Sequence, residues 1–129
     1  MPPNRPSRDA FESALGKRAQ LREAITRYFE THRITALAFP PVVIPPRKIG
    51  DEGEVEIRGQ KVSFAMAMAR NIALGSCASM ASLILPAGLT SNRLPVGIEF
   101  ATLNGKDREL LSLGLSIEEA LGQIPAPKL

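Results

Sequence analysis

The stretch that decides the fold runs Ala81-Ser82-Leu83-Ile84-Leu85-Pro86-Ala87-Gly88-Leu89-Thr90, then Ser91-Asn92-Arg93, then Leu94-Pro95-Val96-Gly97-Ile98-Glu99-Phe100-Ala101-Thr102-Leu103. Leu83-Ile84-Leu85 is short, continuous and apolar, which marks a central strand, halting at Pro86-Ala87-Gly88. Thr90 to Arg93 supplies turn residues, and Pro95 to Leu103 forms a second strand closed by Asn104-Gly105. A helix follows from Asp107 to Leu121, with Leu110, Leu111, Gly114, Ile117 and Leu121 on its inward face and Gly122 and Pro125 beyond its end.

Upstream, Phe64 to about Leu74 is Ala/Met-rich and reads as one helix stopping at Gly75. Its Met66 and Met68 read as gap-fillers. Before it, Glu54-Val55-Glu56-Ile57, a turn at Arg58-Gly59-Gln60 and Lys61-Val62-Ser63-Phe64 make a short hairpin with one wet face. Val42-Val43-Ile44-Pro45-Pro46 is extended, and Ile34 to Phe39 is a buried strand closed by Pro40-Pro41. The first ordered element is a helix from about Asp9 to His32, opened by a capping box between Asp9 and Glu12. Phe11, Ala14, Leu15, Leu21, Ile25, Tyr28 and Phe29 form its apolar stripe, Glu23 and Arg27 pair on its outer face, and His32 complements the helix dipole. The order is helix, strand, hairpin, helix, strand, strand, helix, which predicts a layered α/β domain with a mixed sheet. Residues 1–8 are expected as a flexible arm and 9–129 as a single domain.

Composition bounds the chemistry. The chain has 129 residues, 44% of them apolar, and a formal charge of +3, so it is one globular domain at most. One cysteine and one histidine exclude a disulfide scaffold and leave too few ligands for a His/Cys zinc site. The basic excess lies within residues 1–33, where Arg5, Arg8, Lys17, Arg18, Arg22, Arg27 and Arg33 face Asp9, Glu12, Glu23 and Glu30. Interspersed acids make this the solvated face of a helix, and aromatic interleaving for base stacking is confined to Tyr28 and Phe29, so no nucleic-acid partner is expected. The start lacks the apolar run of a signal peptide, which gives a cytoplasmic expectation. Asn71 to Asn92 carries no charge, yet Gly75, Pro86 and Gly88 interrupt it, so it reads as core elements and no membrane partner is expected. Nucleophile motifs of the G-x-S-x-G kind and Gly-rich phosphate loops are missing, and Cys77 sits in a charge-free Ala/Ser setting that does not favour a thiolate.

The run from Gly75 through Pro86-Ala87-Gly88-Leu89 and Leu94-Pro95-Val96-Gly97 resembles the C-terminal region of the amidase-signature family. Lys48-Ile49-Gly50-Asp51-Glu52 with Val55-Glu56-Ile57-Arg58-Gly59 resembles the small hairpin insert of its mandelamide and indoleacetamide hydrolases. Arg70-Asn71 and Gly105-Lys106-Asp107-Arg108-Glu109-Leu110-Leu111 are similar to further family landmarks, so the likeness extends from about Asp9 to Leu121. It implies the C-terminal part of an α/β/α sandwich that hydrolyses carboxamide C–N bonds with a Ser–Ser–Lys triad and no cofactor. The triad lies in the earlier part of such enzymes, and this sequence has no adjacent serine pair. The family loop of the Thr-Asp-Pro-Gly-Ser-Asn kind is replaced by Ile72-Ala73-Leu74-Gly75-Ser76-Cys77.

These features imply no catalytic residue in this chain, no metal site, and Asn71, Ser76 and Cys77 as the candidates facing the substrate pocket. The expected partners are a second copy or an N-terminal amidase chain, with a small carboxamide bound only once the fold is completed. Two alternatives from other classes are an interaction module that uses the basic first helix and a cysteine-dependent enzyme at Cys77.

Overall fold

The computed structural model describes residues 5–122. Its elements are α1 (Arg8–His32), β1 (Leu37–Phe39), β2 (Val55–Ile57), β3 (Gln60–Val62), α2 (Phe64–Ala69), α3 (Ile72–Ala78), β4 (Ala81–Leu89), β5 (Pro95–Thr102) and α4 (Asp107–Leu121). The α/β class and the hairpin insert are as the sequence predicts. Half of the expected arm, residues 1–4, lies outside the described residues, while Ser7 caps α1 and Arg8 already belongs to it.

The main sheet has the order β1-β5-β4, and all pairs are antiparallel. A mixed sheet was the expectation from element order, but β4 and β5 are joined by a turn too short for a parallel crossover. β5 holds the centre, with Glu99 opposite Phe39 on one side and Ile84 on the other. The strand around Leu83-Ile84-Leu85 is therefore an edge among the described residues, and it continues through Pro86 to Leu89. An edge explains the continuation, since a proline lacking an N–H is tolerated where one side of the strand makes no ladder. The register shifts between Pro86 and Gly88, and Gly88 takes φ +139° there. The turn is locked by Thr90, whose carbonyl accepts from Arg93 N at 2.8 Å and whose hydroxyl accepts from Leu94 N at 3.0 Å.

Strand register separates the two sheet faces. Leu83, Leu85, Ile98 and Phe100 share the face covered by α4, whereas Ser82, Ile84, Glu99 and Ala101 share the other. α4 approaches its face through Gly114, where an added Cβ would overlap the Leu83 side chain. On the opposite face, a Cβ on Gly97 would sit 2.9 Å from Ile84 Cγ2. These two glycines serve close packing and not turn geometry.

α1 begins one residue earlier than expected, and its cap is Ser7, whose hydroxyl accepts from Ala10 N at 3.2 Å. Asp9 therefore lies inside the first turn, and Glu12 pairs with Arg8 at 2.9 Å instead of closing a box with Asp9. The predicted Glu23–Arg27 pair forms at 2.7 Å. At the other end Arg33 turns left-handed (φ 53°), with Arg33 N on the Glu30 carbonyl and Ile34 N on the Phe29 carbonyl, a Schellman closure. The strand expected over Ile34–Phe39 is ladder-paired only from Leu37, because the Thr35 carbonyl is taken by the Thr102 hydroxyl at 2.8 Å.

The helix expected to run from Phe64 to Gly75 is two helices broken at Arg70-Asn71, and Gly75 lies inside the second. The Asn71 amide donates to the Pro40 carbonyl at 2.6 Å, which ties the break to the end of β1. α3 ends instead at left-handed Ser79. Its terminal carbonyls accept from α1: Arg18 donates to Cys77 O at 2.9 Å and to Ser76 O at 3.4 Å, and also to the Ser79 hydroxyl at 3.1 Å.

Packing at Gly114 gives a direct test. Gly114→Val drives a branched side chain into Leu83 and should lower unfolding free energy by about 1–3 kcal/mol. Gly16→Ala, where an added Cβ meets nothing within 4 Å, should raise it by about 0.5–1 kcal/mol. Urea denaturation midpoints measure both, and equal effects would contradict the close approach of α4.

Candidate functional site

A cleft of about 640 Å³ opens between residues 40–52, the inner side of α2 and the turn end of β4–β5. Its apolar walls include Val42, Ile44, Phe64, Met68 and Val96, and its polar side chains are Arg47, Lys48, Asp51, Glu52 and Thr90. Each wall has a local cause. Pro40, Pro41, Pro45 and Pro46 fix φ and remove donors, so this segment cannot join the sheet and instead wraps beside it. Phe64 begins α2, held there by the Ser63 hydroxyl accepting from Met66 N at 3.3 Å. Val96 and Gly97 come from the start of the central strand.

Arg47 holds the outer wall. Its guanidinium forks onto both Asp51 carboxylate oxygens at 2.7 and 3.0 Å and donates to the Gly53 carbonyl at 2.9 Å. The same guanidinium lies 5.9 Å from the Phe64 ring centre. Between the paired residues the chain makes a tight turn, with Asp51 N on Lys48 O at 3.0 Å and Gly50 at φ +85°. Ile49 stands at the tip of that turn, fully exposed on the cleft rim.

The residues singled out from sequence lie elsewhere. Asn71, Ser76 and Cys77 belong to the α3 region and none lines this cleft, although Asn71 reaches it indirectly through Pro40. The carbonyls of Ser76 and Cys77 are engaged by Arg18, and the Cys77 thiol is exposed. His32 stacks on Tyr28 with ring centres 4.4 Å apart, at the end of α1. Met68, a gap-filler by sequence, is partly exposed in the cleft. The sequence signal for the cleft is the Val-Val-Ile run bracketed by prolines, which is apolar yet unable to pair as a strand.

A second polar feature is buried in the main sheet. Glu99 is 3% exposed, accepts from Ser82 Oγ at 2.5 Å through Oε1, and has no partner for Oε2 among the described residues. The charge on α1 is partly consumed within the fold, since Arg8 and Arg27 pair along their helix and Arg18 caps α3. Among the described residues no group of three His, Cys, Asp or Glu side chains could hold a metal. No helix among them is long and apolar enough to cross a membrane, and residues 71–92 hold α3 and β4.

Comparison with known proteins places these features. The sequence profile of the family described as Amidase matches residues 3–111. An indoleacetamide hydrolase of Agrobacterium vitis is 36% identical over 104 residues, covering 81% of this chain and 22% of that protein. A mandelamide hydrolase of Pseudomonas putida is 48% identical over 61 residues, covering 46% of this chain and 12% of that protein. A crystal structure of an amidase superposes on 91% of this chain and 26% of its own, with a TM-score of 0.80 and 25% identity. The chain thus spans about a fifth of the length of the curated relatives it matches.

The clamp on the cleft wall can be tested in isolation. Arg47→Ala removes three charge-assisted or carbonyl contacts at a side chain that is 24% exposed, and should speed amide exchange at Asp51 about tenfold. Arg47→Lys keeps the charge without the fork and should recover only part of the protection. Hydrogen exchange read by mass spectrometry over residues 47–53 gives the answer. Unchanged exchange in both variants would remove Arg47 as the holder of the wall.

Proposed function

Since the chain belongs to the amidase family, we propose that it is the C-terminal segment of a carboxamide C–N hydrolase, contributing scaffold and one wall of the substrate pocket while the nucleophile comes from elsewhere. The family match over residues 3–111 of a sequence without an adjacent serine pair carries this reading. Amide hydrolysis needs an activated nucleophile, a base and donors for the oxyanion, all within hydrogen-bond reach of one carbonyl. The described residues offer separate parts only: an exposed thiol on α3 and an imidazole stacked on its own helix. The cysteine-dependent alternative has no observed partner to support it.

The packing supports completion by another polypeptide section. The buried apolar residues are Phe29, Ala67, Ala78, Ala81, Leu85, Ala101 and Leu110, a core dominated by small side chains. Phe11 and Leu15 on α1, Ile84 on the sheet face opposite α4, and Leu111 and Leu115 on α4 all stay exposed. An edge strand as long as β4, with apolar residues beside it, is suited to being covered. The expected cover is the N-terminal portion of an amidase chain, with self-association as the fallback when that portion is missing. Asn71 acts in this arrangement through the Pro40 carbonyl that it holds, and Ser76 and Cys77 present their exposed side chains from α3 toward the completing portion.

The purified chain should show no turnover of phenylacetamide or indole-3-acetamide. Co-expression with the preceding portion of the Agrobacterium vitis relative should give a complex by light scattering and hydrolysis that a serine-directed inhibitor abolishes. Hydrolysis by this chain alone would overturn the proposal, as would a monomer that ignores the added portion.

A further inference from the structure

We propose that Asn104-Gly105, in the turn between β5 and α4, is a self-modification site whose conversion loosens α4 from the sheet. The Gly105 N–H gives up its proton to solvent base, and its nitrogen bonds to Asn104 Cγ. The Cγ–Nδ2 bond breaks, and the side-chain nitrogen takes up a proton and leaves as ammonia. Water then opens the resulting cyclic imide at either of its two carbonyls. One opening leaves an aspartyl residue; the other leaves an isoaspartyl residue, whose main chain runs through the former side-chain methylene. The reaction is internal to this chain and does not rest on its reading as part of a hydrolase.

Cyclisation requires a free side-chain amide, a free N–H on the next residue and little bulk there. The described residues include three asparagines, and the structure separates them. Asn71 fails on two counts: its Nδ2 donates to the Pro40 carbonyl at 2.6 Å, and the β-branched Ile72 that follows is helical. Asn92 fails on another, because the N–H of Arg93 is engaged by the Thr90 carbonyl at 2.8 Å. Asn104 meets all three requirements. It is exposed, and among the described residues neither its side chain nor the Gly105 N–H has a hydrogen-bond partner. A Cβ built at Gly105 would meet nothing within 4 Å, so the attacking nitrogen is unshielded. The turn is closed by one long contact, Lys106 N on Leu103 O at 3.2 Å, which leaves Asn104 room to rotate into line.

The consequence lies in the element that follows. α4 meets the sheet with Gly114 against Leu83, where even an added Cβ would overlap the leucine side chain, so its seating leaves no slack. An isoaspartyl link lengthens the main chain by one carbon between β5 and α4 and lifts α4 from that contact. The aspartyl product keeps the ordinary backbone. It adds a negative charge ahead of the N-terminus of α4, where Asp107 and Glu109 already lie and where the helix dipole favours an anion. The two products therefore act differently on α4, and only the isoaspartyl form loosens it.

Ageing the full chain in warm, mildly alkaline buffer and mapping its peptides by mass spectrometry reads the reaction directly. The peptide carrying residue 104 should gain the mass of amide-to-acid conversion, and those carrying Asn71 and Asn92 should not. A carboxyl methyltransferase specific for isoaspartyl groups should label the aged chain. That label should be lost in Asn104→Gln, whose longer side chain closes the ring far more slowly. Hydrogen exchange across α4 should be faster in the aged chain than in the fresh one, and unchanged in freshly prepared Asn104→Asp. Circular dichroism checks that both variants are folded, and the peptide map of the unaltered chain decides the matter without them. An unchanged mass at residue 104, or conversion of Asn71 or Asn92 at the same rate, would overturn the proposal. Equal exchange across α4 in labelled and fresh chains would overturn its effect on the fold.

Discussion

The antiparallel pairing of β4 with β5 is the constraint on which the other elements depend. It puts β5 between two neighbours and sets which side chains face α4 and which face away. α4 can then settle on Leu83 only because position 114 has no Cβ. β1 adds to the other side of β5 and delivers the chain to Pro40 at that edge of the sheet. From there residues 40–52 must travel without ladder hydrogen bonds, because their prolines forbid them, and they do so alongside the turn end of the β4–β5 hairpin. The location of the cleft is thus a consequence of strand order and of where the proline segment leaves the sheet.

How much of this could be read beforehand depended on the range of the interaction. The β2–β3 hairpin was legible because Arg58-Gly59 satisfies a local rule: both residues take positive φ, as a two-residue turn of that twist demands. The α4 boundaries and the turn at Thr90 were likewise local. Strand order was not, since the apolar run Leu83-Ile84-Leu85 looks central whether it is paired on both sides or packed at an edge beneath a helix. The break between α2 and α3 has no strong local breaker at Arg70-Asn71; it is supported by a contact with Pro40, thirty-one positions away in sequence. The α3 terminus is fixed by Arg18, which lies about sixty positions away in the chain. The family likeness named the fold, yet its loop positions Asn71, Ser76 and Cys77 did not point to the cleft, which is built from a segment whose chief property is failing to be a strand.

The fold buries a polar side chain while leaving large apolar ones exposed. A carboxylate, Glu99, sits almost fully enclosed on the central strand with one oxygen held by Ser82, while Phe11, Ile84 and Leu115 remain in solvent. A self-sufficient domain of this length would be expected to do the reverse. Pairing Glu99 with the Ser82 hydroxyl satisfies half of a group whose other oxygen has no described donor, which costs stability that the modest core must offset. Exposed apolar faces and a buried polar centre together describe one layer of a larger body, in keeping with the small share of its relatives that the chain covers.

Separating a binding wall from the reacting groups has an energetic consequence. Contacts to the part of a substrate remote from the scissile bond are nearly the same before and at the transition state, so they lower KM more than they raise kcat. They improve kcat only if that part is held rigidly enough to position the carbonyl against the nucleophile, where a misplacement of about 1 Å can cost a hundredfold. Rigidity of the wall is the property such an arrangement needs, and in this chain it comes from fixed proline φ angles, the Asn71 contact with the Pro40 carbonyl and the forked Arg47–Asp51 pair. Arg47 is the most exacting of these, because lysine cannot reproduce a planar fork that reaches two carboxylate oxygens and a backbone carbonyl while lying over an aromatic ring. In the enzyme proposed above, a wall built this way would select by the shape of the remote group, with the reacting groups supplied by the section that completes the fold.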